Sequence, residues 1–180
     1  MNELMLDIET LGTTPNSVVL SIGAVKFTEE AGIYSEFYTM LACDEELDNK
    51  ASVEAATVLW WTEQSERPPL LVTDTTLMNP NRTRLREFKD FCEGVERFWC
   101  KGPHFDIAIL DNCLKRYGHT LPWKYYQVRD YRTLVDVART AGYYQAAVPV
   151  ENARKHHALH DARTQAEHVV AMLRVLNGLK

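Results

Sequence analysis

Leu4-Met5-Leu6-Asp7-Ile8-Glu9-Thr10-Leu11-Gly12-Thr13 decides how the chain is read, because it places two acids one residue apart in an otherwise apolar run and then turns. In an extended strand successive side chains point to opposite faces. Leu4, Leu6 and Ile8 therefore share one face, and Met5, Asp7 and Glu9 share the other. Two like charges crowded at a strand end repel, and at least one pKa rises; a divalent cation turns the same crowding into a ligand set. Oxygen donors of this kind favour magnesium or manganese over zinc. A bare D-x-E is more often a turn acid next to a solvated carboxylate, so the rest of the chain has to decide.

Working outward, Val18 to Phe27 is rich in apolar and β-branched residues and has the length of a central strand. Glu29 to Gly32 makes a turn and Ile33 to Leu41 returns, which predicts a three-stranded antiparallel meander. From Ser52, a candidate cap, a helix carries Val58-Leu59-Trp60-Trp61. Adjacent indoles cannot both occupy one narrow stripe, so one is expected in the core and the other at the surface near Gln64. Pro68-Pro69 breaks the chain, and Val72 to Asn81 reads as a loop or short helix. Arg82 to Phe98 is expected as a helix, followed by a short strand at Phe98-Trp99-Cys100. Asp106 then stands between that strand and a helix bearing Ile107, Leu110 and Leu114. α/β folds place ligand-binding groups there, past the C-terminal end of a strand, although an acid favoured by the helix dipole accounts for Asp106 equally well. Tyr126 to Val128 is expected as a last strand, Tyr131 to Ala141 as a helix ended by Gly142, and Leu159 to Leu176 as a long amphipathic helix. His156, His157, His160 and Asp161 cluster at its start.

The 180 residues, 46% hydrophobic, suffice for one domain with a substantial core. Absence of a long apolar run or a basic leader predicts no membrane span and a cytoplasmic protein. Cys43, Cys92, Cys100 and Cys113 form no C-x-x-C pair and read as core thiols. A net charge of -5 excludes a protein that coats nucleic acid through bulk positive charge, but not an enzyme that acts on it. Arg82, Arg84 and Arg86 read as a solvated helix face.

Asp7, Glu9, Asp106 and Asp161 would converge from a strand, a strand-to-helix junction and a helix. Such a set makes chemical sense around two magnesium ions, the known clamp for phosphodiester cleavage. His156 precedes Asp161 by five residues, well past one helical turn. It shares a site with Asp161 only from the loop before the helix, where it would serve as general base.

Asp7-Ile8-Glu9, Phe105-Asp106 and His156-His157-Ala158-Leu159-His160-Asp161 resemble, in order and spacing, the three motifs of DEDDh 3′-to-5′ exonucleases, the DnaQ-like group. Leu59-Trp60-Trp61 with Gln64, Pro122-Trp123 and Asp130-Tyr131-Arg132-Thr133 extend the likeness over nearly the whole chain. They are similar to the phage and prophage exonuclease VIII-like branch, related to a mycobacterial exoribonuclease. The resemblance implies a ribonuclease H-like α/β fold: a mixed five-stranded sheet, an antiparallel meander plus parallel strands, flanked by helices. It implies Asp7, Glu9, Asp106 and Asp161 as ligands of two Mg2+ (or Mn2+) and His156 as base. Thr10, Leu11 and Gly12 would meet the 3′-terminal nucleotide, with Trp61, Gln64 and Phe105 as further substrate contacts. The substrate would be a single-stranded DNA or RNA 3′ end, the product nucleoside 5′-monophosphates, and the assembly a homodimer. His157, His160 and Cys100-Lys101 depart from the family pattern and leave open which imidazole is the base.

Two other classes remain. His156 with His160, or His157 with Asp161, have a zinc-ligand spacing on a continuous helix, which would suit a zinc hydrolase. A nucleic-acid-binding module that has kept the fold but lost catalysis is the other.

Overall fold

The strand that carries the paired acids, β1 (Glu3–Thr10), is the centre of the computed structural model. The structure describes residues 1–64, 79–144 and 156–178. β1 pairs antiparallel with β2 (Val19–Thr28), which pairs antiparallel with β3 (Gly32–Met40), so the meander forms as its sequence predicts. On its other side β1 pairs in parallel with β4 (Arg97–Cys100), and β4 with β5 (Val128–Asp130), giving the order β3-β2-β1-β4-β5.

Alternation along β1 builds two cores. Leu4, Leu6 and Ile8 pack with α3 (Asn81–Phe91), through Leu85 and Phe88, and with α4 (Asp106–Arg116), through Ile109, Leu110, Cys113 and Leu114. On the opposite face Met5, Val25 and Phe27 pack with α5 (Tyr131–Thr140) and the long α6 (Ala158–Leu176), through Val135, Ala138, Ala162, Ala166 and Val169. All four cysteines are buried free thiols. Among the described residues no helix is long and apolar enough to cross a membrane.

Several boundaries differ from expectation, each for a local reason. The helix expected to run to Phe98 ends at Phe91, because Gly94 takes a left-handed φ of 76° that stops the helix and frees Arg97 to start β4. Ser52 does not cap: its N–H donates to the Asn16 carbonyl and its own carbonyl accepts from Val18, closing the turn after β1. The next helix, α2 (Ala55–Glu63), starts three residues later. Tyr125–Gln127 forms a 3-10 turn, and the fifth strand follows it rather than containing it. α1 (Cys43–Asp48) was not anticipated; at six residues it is too short to show a helical period. Pro68-Pro69 and most of the Val72 to Asn81 segment lie outside the described residues.

Topology positions the site in two ways. β4 pairs only with Glu3, Leu4 and Met5 of β1, so the acidic half of β1 projects past its parallel neighbour. Gly23 on β2, directly opposite Asp7, lets α6 in: a Cβ there would lie 2.2 Å from the Ala158 carbonyl carbon and from the Leu159 nitrogen.

Candidate active site

Asp7 and Glu9 leave β1 on one face, and Asp161 comes down on them from the first turn of α6. One carboxylate oxygen from each of the three lies within 4.8 Å of the others, close enough to share a cation. Asp106, the first residue of α4, is buried and lines the same cavity, about 390 Å3 in volume. Its backbone N–H donates to the Gly102 carbonyl at 3.1 Å, and that N–H and the N–H of Ile8 favour its ionised form.

Burial and mutual repulsion dominate the electrostatics. Burial, then Asp106, Glu9 and Asp161, hold Asp7 well above the ordinary carboxylate range. Glu9 is pushed up to about 8 by burial and by Asp161 and Asp106. Asp106 is raised by burial to about 7, with its backbone hydrogen bonds and Arg132 acting against the rise. Carboxylates that repel one another in a partly buried cleft fit a divalent cation, whose charge reverses the repulsion, and all-oxygen donors suit a hard ion.

His156 sits in the turn before α6 at a left-handed φ of 66° and lines the acidic cavity. Its backbone N–H donates to Asp161 Oδ2 at 2.9 Å, which ties the histidine to the helix across an offset of five residues. Its ring meets Trp60 edge-on at 4.8 Å and Trp61 at 6.0 Å. His157 instead stacks on Tyr38 at 4.7 Å and touches His160 at 4.6 Å, and neither lines the cavity. The i, i+4 histidine spacing therefore does not gather ligands here, since His156 precedes the helix.

Several residues that sequence reasoning missed complete the cavity. Gln165 Nε2 donates to Asp7 Oδ1 at 3.0 Å, and the His168 ring bonds the Tyr131 hydroxyl at 2.8 Å. Gln165 and His168 follow Asp161 by four and seven residues, so the helical period placing Asp161 on the inner face was the available signal. Lys101 and Arg132 also line the cavity; the sequence offers both within stretches compared with the family, but nothing in its periodicity aims them at the acids.

A second cavity of about 460 Å3 adjoins the first and shares Ile8, Glu9 and Phe105 with it. Thr10, Thr13, Trp60 and Trp61 line the remainder together with residues of α2. Trp61 is the core indole, 4% exposed, with Nε1 donating to the Thr10 carbonyl at 2.9 Å, while Trp60 is 40% exposed. Thr10 Oγ1 donates to the Gly12 carbonyl at 2.7 Å. Of the six residues expected at the substrate, Thr10, Trp61 and Phe105 reach a cavity wall. Leu11 packs in a small apolar cluster with Trp61, a Cβ at Gly12 would meet Ser17 Oγ at 2.5 Å, and Gln64 Nε2 donates to the Trp60 carbonyl.

The fold has clear relatives among solved structures. The nuclease domain of 3'hExo, a DEDDh family member bound to rAMP, aligns with a TM-score of 0.62 at 14% identity, over 99% of this chain and 94% of that one. E. coli exonuclease I in complex with a dA16 oligonucleotide aligns with a TM-score of 0.62 at 14% identity, over 97% of this chain but only 41% of that larger protein. S. pombe Pop2p in its Mg2+- and Mn2+-bound form aligns with a TM-score of 0.57 at 9% identity, over 96% of this chain and 82% of that one. No curated protein sequence matches. Likenesses this remote in sequence establish the ribonuclease H-like fold. The class, 3′-to-5′ exonucleases, is defined by the family match. The model of the Rv2179c-like 3'-5' exoribonuclease domain matches residues 2–173, and the chain belongs to that family.

Proposed function

We propose that this protein is a single-domain, divalent-metal-dependent exonuclease that removes nucleoside 5′-monophosphates one at a time from the 3′ end of single-stranded nucleic acid, with RNA preferred. The observation that carries this is the cluster of Asp7, Glu9 and Asp161 beside Asp106, whose crowding at neutral pH a divalent cation relieves without protonation. The family's exoribonuclease description supports RNA.

Asp7, Glu9, Asp106 and Asp161 would hold two Mg2+ or Mn2+ ions. When bound, the pair supplies Lewis-acid stabilisation of charge on the attacking and leaving oxygens. Gln165 holds Asp7 through Oδ1, which orients the carboxylate that would bind the cation. His156, lining the cavity and tethered through its backbone to Asp161, accepts the proton of the attacking water. The bond from phosphorus to the 3′-oxygen of the preceding nucleotide breaks, and that oxygen takes a proton as the strand leaves. The cavity beside Trp60, Thr10 and Phe105 seats the terminal nucleoside, where the half-exposed indole offers a stacking surface. Within the family we place the chain in the exonuclease VIII-like phage and prophage branch, acting in the cytoplasm as a homodimer; light scattering on the purified protein tests the dimer.

A time course on matched 5′-labelled RNA and DNA strands, with magnesium, manganese, zinc or chelator, tests the activity. The expected result is a ladder shrinking from the 3′ end, faster on RNA, supported by magnesium or manganese, stopped by chelator and abolished in Asp7→Ala with the fold retained. Undiminished cleavage by Asp7→Ala, or cleavage with zinc alone, overturns it.

A further inference from the structure

The acidic cavity has a basic wall that the proposed chemistry leaves unused. Lys101, Arg132 and His168 line it together with the acids, and none of the three lines the adjoining cavity beside Trp60. Lys101 directly follows β4, and Arg132 lies in the first turn of α5, its backbone N–H donating to Asp130 Oδ1 at 3.0 Å. Gly102 makes room for the guanidinium: a Cβ there would lie 2.8 Å from Arg132 Nη1, so any larger residue at position 102 would push the arginine aside. Arg132 and Lys101 both act electrostatically on Asp106, which puts their charge on the α4 side of the acids. Among the described residues the guanidinium forms no ion pair. Its planar donor fork matches a phosphate and is left for a ligand.

The two cavities give the site a direction. Ile8, Glu9 and Phe105 are common to both; beyond them lie Trp60 and Thr13 in one, Lys101 and Arg132 in the other. A strand whose last nucleoside sits beside Trp60 places its scissile phosphate at Glu9, the acid common to both cavities, and the neighbouring carboxylates, and continues past the basic wall. We infer that Arg132, assisted by Lys101, binds the phosphate one step 5′ of the scissile one, so that the enzyme reads a second phosphate on its substrate. This rests on the proposed seating of the terminal nucleoside.

The test compares a dinucleoside monophosphate, which lacks that second phosphate, with the same compound carrying a 5′-phosphate, in the wild type, Arg132→Gln and Arg132→Lys. The wild type should cleave the 5′-phosphorylated compound about tenfold or more faster in kcat/KM, the worth of one charge-assisted contact. Arg132→Gln should collapse that ratio towards one, mainly through KM, and Arg132→Lys, which keeps the charge but not the fork, should restore part of it. Independently, anisotropy of a fluorescent RNA oligonucleotide in chelator should show the slope of log affinity against log salt reduced by about 0.7 in Arg132→Gln, the loss of one phosphate contact on a single strand. An equal loss on both dinucleotides, or an unchanged salt slope, overturns the assignment. A wild type that cleaves neither compound nor longer RNA overturns the exonuclease proposal instead, and the salt slope still decides the role of Arg132.

Discussion

Gly23→Ala should disable the site from a position that touches no substrate. The added methyl would start 2.2 Å from the Ala158 carbonyl carbon and the Leu159 nitrogen and 2.5 Å from the Ala158 carbonyl oxygen. All three are backbone atoms at the start of α6, so no side-chain rotation can relieve the clash. Restoring the 3.4 Å of an ordinary contact moves the helix start by about 1.2 Å, an overpacking that costs about 1 to 3 kcal/mol. Asp161 lies in the first turn of that helix and His156 hangs from it by a 2.9 Å hydrogen bond, so both recede from Asp7 and Glu9. A displacement of about 1 Å at a reacting centre costs on the order of 100-fold in rate. The assay pairs kcat/KM on a short RNA with calorimetric titration of Mn2+ and a thermal melt. Loss of activity and weaker Mn2+ binding in a protein that still unfolds cooperatively, a few degrees lower, is the expected outcome. Wild-type kcat/KM and Mn2+ affinity in Gly23→Ala would refute the claim that this contact seats the site.

His156→Ala should lower kcat by about 100-fold or more while Mn2+ binding persists, whereas His157→Ala, whose ring stacks on Tyr38, and His160→Ala, whose ring meets that of His157, should be milder; kinetics showing the reverse order would identify a different base. In chelator, Glu9 at about 8 and Asp106 at about 7 keep protons in the folded state that the unfolded chain has released, so stability should fall as pH rises from about 4.5 to 8. Thermal melts across that range should show the decline, Mg2+ should oppose it most at the alkaline end, and Glu9→Gln should flatten it; a melting temperature that climbs with pH in wild type but not in Glu9→Gln contradicts the assigned shift. Glu46 is fully buried on α1 and paired with Arg116 at 2.8 Å, so Arg116→Met should cost about 3 kcal/mol in urea unfolding, and adding Glu46→Gln should recover part of it. Equal midpoints for wild type and Arg116→Met would show that the pair contributes nothing.

Local chemistry carries far in this chain. Alternation along Leu4 to Glu9 put the apolar and acidic faces of β1 on the correct sides, and the short links after Phe27 made the meander legible. The five-residue offset from His156 to Asp161 placed the histidine ahead of its helix, where it lies. Boundaries were misread where a single residue outweighs periodicity, as Gly94 does in stopping α3 seven residues before Phe98.

What the sequence by itself determined is therefore the set of acids, their order, and the elements that bear them, because strand alternation, helical period and turn chemistry act between near neighbours. The tertiary structure alone decided what approaches that set from a distance. It chose Trp61 for the core and left Trp60 half-exposed, turned His156 into the cavity and His157 onto Tyr38, and brought Gln165 to Asp7 across 158 residues of chain. It also aligned Arg132 with the space that Gly102 leaves empty. These choices depend on how closely α5 and α6 pack against the sheet, a matter of steric fit at positions such as Gly23 that no pattern of neighbouring residues encodes.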